Sequence, residues 1–532
     1  MSDVSEKTTL SRPPAMKAPV ADGPAEDEGA AMVGEHAAKG CGHERAHITD
    51  SRFHGGWYAT PESRQIFCDV CRMQRWLDIE ANLALSQADL GLIPSQAATE
   101  IARAAHVEAI DLEEVQRGIR QTQHSLVALL RALEGACADG AGEFVHYGAT
   151  TQDVQDTGEA LEMRAVLHIV DRDLQAILLR LRELALAHRD TLMVGRTHAR
   201  PALPTTFGLK VAGWIDELMR TSERLEAMRP RVLVAELFGG VGTMAGFQGR
   251  GRELLRSFAD RLTLGVPTMA WHVARDRIAE FGTTLAMLAG ALGRIADEIR
   301  TLARPEFSEL EEGWQHGLVG SSTMPHKRNP EACEQVVVLA RLSRAAAATG
   351  LETLIEEHSR DSRGHRLEWA AVADVSHYTL TALTILQEIL GGLIVHDDRM
   401  AAHAYEAADQ LCTEALMLAL ARHIGKQSAY TVVYELSQAS QDRGGSLQDY
   451  AAESPDIQAH LSTDHLARIF DPAQQLGEAA ALVDDVIACL DSSLDRATQP
   501  RNAAASTPPD PTRRVSQRDR ANDNVAYERP RA

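Results

Sequence analysis

Apolar residues recur along the middle of the chain at alternating spacings of four and three. Met163, Leu167, Val170, Leu174, Ile177, Leu181 and Leu184 make one stripe, and Phe281, Leu285, Leu288, Leu292, Ile295, Ile299 and Leu302 a second. Phe207, Val211, Trp214, Leu218 and Leu225 make a third, with one polar position passed over. A fourth runs through Val372, Val375, Leu383, Leu386 and Leu390 and closes on Gly391-Gly392, a natural helix stop. Stripes of this period bury one face of a helix against its neighbours. Long helices with seams near 3.5 residues per turn pack nearly parallel, so the pattern predicts an all-α protein built on a long helical bundle. Such stripes predict core and carry no chemistry.

The pattern fails at both ends. Residues 1–46 are rich in Pro, Ala, Gly and Glu with little apolar periodicity, and read as a disordered extension. Residues 496–532 turn polar and Arg-rich and read as a disordered basic tail. No stretch of 18 apolar residues reads as a transmembrane helix, and the N-terminus lacks the apolar core of a secretory signal.

Composition narrows the function. Of 532 residues, 44% are hydrophobic and 24% charged, which fits a globular protein with a sizeable core. Lys and Arg number 54 against 75 Asp and Glu, a net charge of −21. An acidic body argues against nucleic acid and anionic membranes as partners, while leaving room for small anions in a locally basic cleft. Seven cysteines are too few, and odd in number, for a disulfide framework, so a reduced cytoplasmic setting fits best. Cys68 and Cys71 form a CxxC with Cys41 and His43 upstream, a spacing that zinc sites also use. The pair lies in a helical pattern and Cys41 in the loose extension, so no metal is expected there. No Gly-x-Gly-x-x-Gly follows a strand pattern, which argues against a nucleotide-cofactor domain.

Three polar segments interrupt the helical background. In the first, Phe144 to Thr157, Thr150, Thr151 and Gln152 stand just before the first long helix, where hydroxyls and free N–H groups suit a carboxylate; an ordinary N-cap reads the same way. In the second, Val194 to Pro204, Arg196, His198 and Arg200 sit between two long helices, and a loop histidine can serve as acid or base near neutral pH or be structural. In the third, Gly317 to Pro330, Ser321 and Ser322 precede Lys327, Arg328 and Asn329 in a Gly-containing loop. Clustered cations and loop N–H groups are what a serine needs to lose its proton.

The string Gly320-Ser-Ser-Thr-Met-Pro-His-Lys-Arg-Asn-Pro330 resembles the signature loop of the aspartase/fumarase superfamily, which includes argininosuccinate and adenylosuccinate lyases. The resemblance spans roughly 47–490, and the other two segments fall where the family has its other blocks. Leu77-Asp-Ile-Glu-Ala-Asn-Leu-Ala, Trp271-His-Val-Ala-Arg-Asp-Arg277 and Glu368-Trp369 are most similar to the 3-carboxy-cis,cis-muconate cycloisomerase-like subgroup.

The resemblance implies a long central bundle (146–395) flanked by smaller helical domains at 47–145 and 396–495. It also implies an anti elimination through a carbanion, with no metal or organic cofactor. Ser321 matches the family's base and His198 its acid-side histidine. Lys327 and Asn329 would hold the substrate carboxylate, and Thr150, Thr151 and Gln152 the rest of a small dicarboxylate. Arg196 and Arg360 would be further anion contacts and His124 a substrate-side residue, while Arg200, a departure from the family, suits either an anionic group of the substrate or pairing with an acid. A homotetramer with each site drawn from three subunits is implied too. A carbon–nitrogen lyase acting on a substituted succinate, with an amine or nitrite (nitrosuccinate) leaving, is the first reading; a cycloisomerase is the second, and a non-catalytic structural relative a distant third. Three departures stand out. Thr197-His-Ala-Arg200 has Arg where many members have Gln. His358-Ser-Arg-Asp361 replaces the His-Glu-Arg-Asp of adenylosuccinate lyases. His365-Arg366-Leu367 stands where cycloisomerases commonly have Trp-His before their Ala-Glu-Trp.

Overall fold

The computed structural model describes residues 47–498 apart from 315 and 316. The expected extension 1–46, with Cys41 and His43, and all but the first residues of the expected tail lie outside the described residues. The chain divides after Gly55 into two units. The described part of the first holds a single 3-10 turn, Ile48–Asp50, and the unit from Gly56 onward holds the bundle.

Five long helices make the bundle. They are α2 (Thr151–Ala187), α3 (Phe207–Val232), α4 (Asp276–Leu302), α5 (Glu331–Leu351) and α6 (Ser362–Gly392), preceded by α1 (Asp69–Asp89). Four of the five, all but α5, carry the predicted stripes. The starts of three of them have local causes. Thr150 and Asp153 form a capping box at α2, Thr206 Oγ1 accepts Leu209 N at 3.1 Å at α3, and Asp361 Oδ1 accepts Arg363 N at 3.0 Å at α6. The stripe residues Val170, Ile177, Leu181, Phe281, Leu288, Leu292, Leu383 and Leu386 are fully buried. Burying each such side chain contributes about 1.5–3 kcal/mol, which is why the stripes outweigh local propensity. Helices α4 and α5 meet on small residues: a methyl on Gly293 would stand 2.7 Å from Ala340 Cβ. Helix α4 is long and apolar enough to cross a membrane by composition alone, but 72% of its most apolar window is buried inside the protein, as a bundle core requires.

The five helices run alternately up and down. At one end, Gln152 of α2 donates to the His272 carbonyl just before α4, and Arg275, the residue before α4, bridges Asp156 of α2 and Glu368 of α6. At the other end, Arg180 of α2 donates to Leu390 O of α6 at 3.0 Å, and Lys210 of α3 pairs with Glu298 of α4 at 2.7 Å. The 27 residues of α4 separate these ends by about 40 Å at 1.5 Å per residue.

The far end carries the strands that pair into sheets among the described residues. Strands β1 (Leu192–Thr197) and β2 (Arg200–Thr206) form an antiparallel hairpin between α2 and α3, bulged between Gly195 and Arg196. The second polar segment, expected as a plain connection between helices, is therefore a hairpin. Its inward residues Leu192 and Val194 anchor it on a separate small core with Leu416, Leu420, Val433 and Ile457. Strands β3 (Leu310–Glu311) and β4 (Ile394–Val395) pair, tying the end of α4 to the end of α6. The small core is supplied by α7 (Asp397–Glu406), α8 (Thr413–Ile424), α9 (Lys426–Arg443) and the short helices that follow between 447 and 469, and α10 (Ala479–Thr498) returns to the bundle. There Asp491 and Asp484 meet Arg182 and Arg189 of α2 and its end at 2.7 and 2.6 Å.

Candidate active site

At the near end, the first polar block and Arg360 come together. Arg360 Nη1 donates to Thr150 Oγ1 at 2.5 Å, and Arg360 Nε to Gln152 Oε1 at 3.3 Å. Thr151 Oγ1 lies 3.4 Å from His124 Nε2, while His124 Nδ1 accepts Leu126 N and Val127 N at 3.3 and 3.2 Å. The ring is thus fixed with Nδ1 as acceptor and Nε2 turned to Thr151. The amide of Gln152 is committed. Its Nε2 donates to His272 O at 2.8 Å and to Asp156 Oδ2 at 3.0 Å, and both partners are acceptors only. Gln152 therefore presents a carbonyl oxygen to this site and orients Arg360.

Behind this surface lies a buried charge network. Arg275, fully enclosed, donates to Asp156 at 2.8 and 3.1 Å and to Glu368 at 2.7 and 2.5 Å, with its guanidinium 5.0 Å from the Trp271 ring centre. Burial and the charge of Glu368 hold Glu159 well above the usual carboxylate range. Burial, joined by the charge of Asp156, pushes Glu236 up to about 9. Burial pushes His365 down to about 4. None of the residues expected from the sequence belongs to this network except Gln152, which touches it through Asp156. A signal for it was present: Asp153 and Asp156 open a helix whose residues from Gln152 to Met163 are all buried, and charges there require partners.

Asp153, Glu236 and His272 bring ligand atoms within 4.8 Å of one another, the one grouping among the described residues that could hold an ion. Asp153 is already saturated. Its Oδ1 accepts Phe238 N at 2.9 Å and faces His272 Nε2 at 3.1 Å, and its Oδ2 accepts Gly239 N and Thr150 N, each at 2.9 Å. Both of its oxygens are thus already engaged by protein groups. Cys68 caps α1, with its sulfur accepting Cys71 N at 3.3 Å.

At the far end stand the other two blocks. His198 and Ala199 form the hairpin tip, both exposed and both left-handed, with φ of 49° and 62°. Arg200 pairs with Thr197 across the tip, and no carboxylate meets its side chain among the described residues. Arg196, expected as a substrate contact, meets buried Glu309 at 2.7 and 3.1 Å and covers the Phe307 ring at 4.5 Å. His403 Nδ1 reaches the same carboxylate at 2.8 Å.

In the signature loop, Asn329 Nδ2 donates to Gly320 O at 2.7 Å, closing the loop's two ends. Arg328 pairs with Glu311 at 3.0 Å and lies over Trp314 at 5.3 Å. Ser321 Oγ accepts Met324 N at 3.0 Å and Thr323 N at 3.3 Å, and Lys327 is exposed. The loop borders a cavity of about 1330 Å³ that also takes in Trp57, Gln335, Ile385 and His396. Thus the structure gathers His124, Thr150, Thr151, Gln152 and Arg360 at one end of the bundle. It gathers Arg196, His198, Arg200, Ser321, Lys327 and Asn329 at the other.

Comparison with known proteins agrees with this architecture. A family model described as "Lyase" matches residues 57–342, and one described as "Adenylosuccinate lyase C-terminus" matches 409–486. The chain is 38% identical over 448 residues to an N-acetyl-S-(2-succino)cysteine lyase of Dickeya dadantii, covering 84% of this chain and 98% of that one. It is 33% identical to a 3-carboxy-cis,cis-muconate cycloisomerase of Pseudomonas aeruginosa, over 81% of this chain and 95% of that one. Among solved structures, a fumarate lyase from Mesorhizobium sp. BNC1 superposes with a TM-score of 0.76 at 34% identity, covering 81% of this chain and 98% of that one. With its up-and-down bundle, its three polar blocks and these likenesses over most of its length, the chain belongs to the aspartase/fumarase superfamily of lyases, beside the 3-carboxy-cis,cis-muconate cycloisomerase-like members.

Proposed function

We propose that this protein eliminates a leaving group from a 2-substituted succinate and releases fumarate, with Ser321 as the base. The observation that carries the reading is the environment of Ser321. Two backbone N–H groups already point at its oxygen, and they favour the alkoxide that must form before a carbon-bound proton is taken. Lys327 beside it would hold the substrate carboxylate and the second charge of the carbanion, assisted by Asn329. Arg360, Thr150 and Thr151 would hold the remaining carboxylate. Among the described residues no carboxylate neutralises Lys327, Arg200 or Arg360, whereas Arg196, Arg275 and Arg328 are each paired with one. Because the two halves of this machinery sit at opposite ends of one bundle, we propose a homotetramer of antiparallel bundles in the cytoplasm, each site completed by neighbouring subunits.

The leaving group we favour is the thiol of a succinylated cysteine, the chemistry carried in the names of two relatives at 38% and 37% identity. The carbon–nitrogen reading, with an amine or nitrite leaving, stands second on the unpaired Arg200 at the hairpin tip. The test offers N-acetyl-S-(2-succino)cysteine, N-succinyl amines, nitrosuccinate and 3-carboxy-cis,cis-muconate, and follows fumarate together with free thiol and nitrite. Ser321→Ala is expected to keep the fold and to lower kcat by roughly 10²–10⁴, the scale for losing a positioned proton-transfer group. His198→Ala should damage amine release most and nitrite release least, because only the amine leaves poorly without a proton. Near-native turnover by Ser321→Ala with chemistry rate-limiting would remove the serine. Turnover of the muconate alone would move the protein to the cycloisomerases.

A further inference from the structure

Cys68 and Cys71 take no part in the elimination. Cys68 is the N-cap of α1 and Cys71 its third residue, so one helical turn brings both sulfurs to the same end of the helix. The Cys71 N–H donates to Cys68 Sγ at 3.3 Å, and each residue is partly exposed. Arg75 lies one turn further along, with Nη1 on Glu162 at 2.9 Å and Nη2 on Ile66 O. From this geometry we infer that Cys68 and Cys71 form a reversible dithiol–disulfide site, with Cys68 as the attacking thiol and Cys71 as the resolving one.

The asymmetry follows from position. The sulfur at the N-cap accepts a free N–H of the first turn and sits at the positive end of the helix, the position from which it can attack. Cys71, one turn in, is the donor to that sulfur. A hydrogen bond of the Cys71 thiol itself to Cys68, followed by burial and the Cys68 charge, holds that thiol above its usual range. With a small disulfide such as oxidised glutathione as oxidant, the Cys68 thiolate attacks one sulfur and one glutathione leaves as thiolate. That thiolate takes the Cys71 proton. Cys71 then attacks Cys68 Sγ and expels the second glutathione. Two protein thiols are oxidised, one external disulfide is reduced to two thiols, and the reverse reaction restores the pair. Helix α1 also explains why such a site could be felt elsewhere. Arg72 and Arg75 clasp Glu162 of α2, and Glu80 accepts the N–H of His146 at 3.1 Å, in the polar segment that holds Thr150.

The experiment uses the full chain, held in chelator and treated with oxidised glutathione, then with excess reduced glutathione. Wild type is expected to lose about 2 Da, to yield a peptide linking Cys68 to Cys71, and to regain both thiols on reduction. Cys71→Ser should stop at a glutathione adduct on Cys68. Cys68→Ser should form its adduct on Cys71 at least about tenfold more slowly. Serine caps helices well, so both variants should fold, and circular dichroism checks this. The inference is overturned if Cys68 and Cys71 remain alkylatable after oxidation, or if either pairs preferentially with Cys41, Cys137 or Cys489. Equal adduct rates at the two positions would overturn the assignment of Cys68 as attacker.

Discussion

Glu236 keeps a proton that a carboxyl in water would lose. It is fully buried, its Oε2 accepts Trp271 N at 2.8 Å, and Oε1 lies 3.2 Å from His272 Nε2. Burial first, then the charges of Asp156 and Asp153, raise it to about 9, far above the ordinary carboxylate range. A carboxyl raised on folding binds more protons in the folded state than in the unfolded state between those two values. Its contribution is therefore complete below the unfolded value and is lost as pH climbs through about 9. Gln has the shape of the neutral acid and no proton to lose. Glu236→Gln should melt close to wild type in mild acid and above it near the alkaline end of this window, by an amount on the order of a few kcal/mol at most. Parallel melting temperatures at every pH would show that Glu236 is ionised in the folded protein. No reading of a single residue could find this. Glu236 follows Val234 and Ala235 in an apolar run, and its state depends on acids distant in sequence that only the fold brings near.

The hairpin illustrates what can and cannot be read at the level of the element. Helix periods repeat over many residues and were legible. The hairpin was not, because Pro201 and Pro204 in β2 argue against strand and the alternating run is short. The fold tolerates them because the hairpin has only two strands. Its two-residue tip has positive φ at both positions, the type I′ geometry that matches strand twist and that normally selects Asn-Gly. Here His198 and Ala199 occupy it, at about 1–2 kcal/mol each for an L side chain. Ala199→Gly removes one of these costs and returns part of it through a freer unfolded chain, so a gain in stability under about 1 kcal/mol is expected. If the strained tip is what aims His198, turnover of an amine substrate should fall in the same variant while its melting temperature rises. A variant that melts lower than wild type would show that the tip is unstrained.

At the scale of the molecule, the sequence announced the bundle and the chemistry of its interruptions, but not where the interruptions meet. The bundle was legible because Phe281 to Leu302 and its companion stripes bury against one another whatever lies at their ends. The meeting point was not, because it depends on which helix end each block occupies, and that is set by the up-and-down order of five helices. One chain places Arg360 and Thr150 about 40 Å, the length of α4, from Ser321 and His198. No substituted succinate spans that distance, so a site needing both ends must draw them from different subunits. The consequence can be measured without knowing the assembly's structure. Ser321→Ala and Arg360→Ala should each be nearly inactive alone. If the two chains are unfolded, mixed in equal amounts and refolded together, some sites receive Ser321 from one variant and Arg360 from the other. Random assortment leaves about a quarter of the sites free of both lesions, so about a quarter of wild-type activity should return. Refolding each variant alone controls for recovery of the fold. A mixture no more active than its components, with assembly confirmed by light scattering, would place Ser321 and Arg360 in sites that never meet.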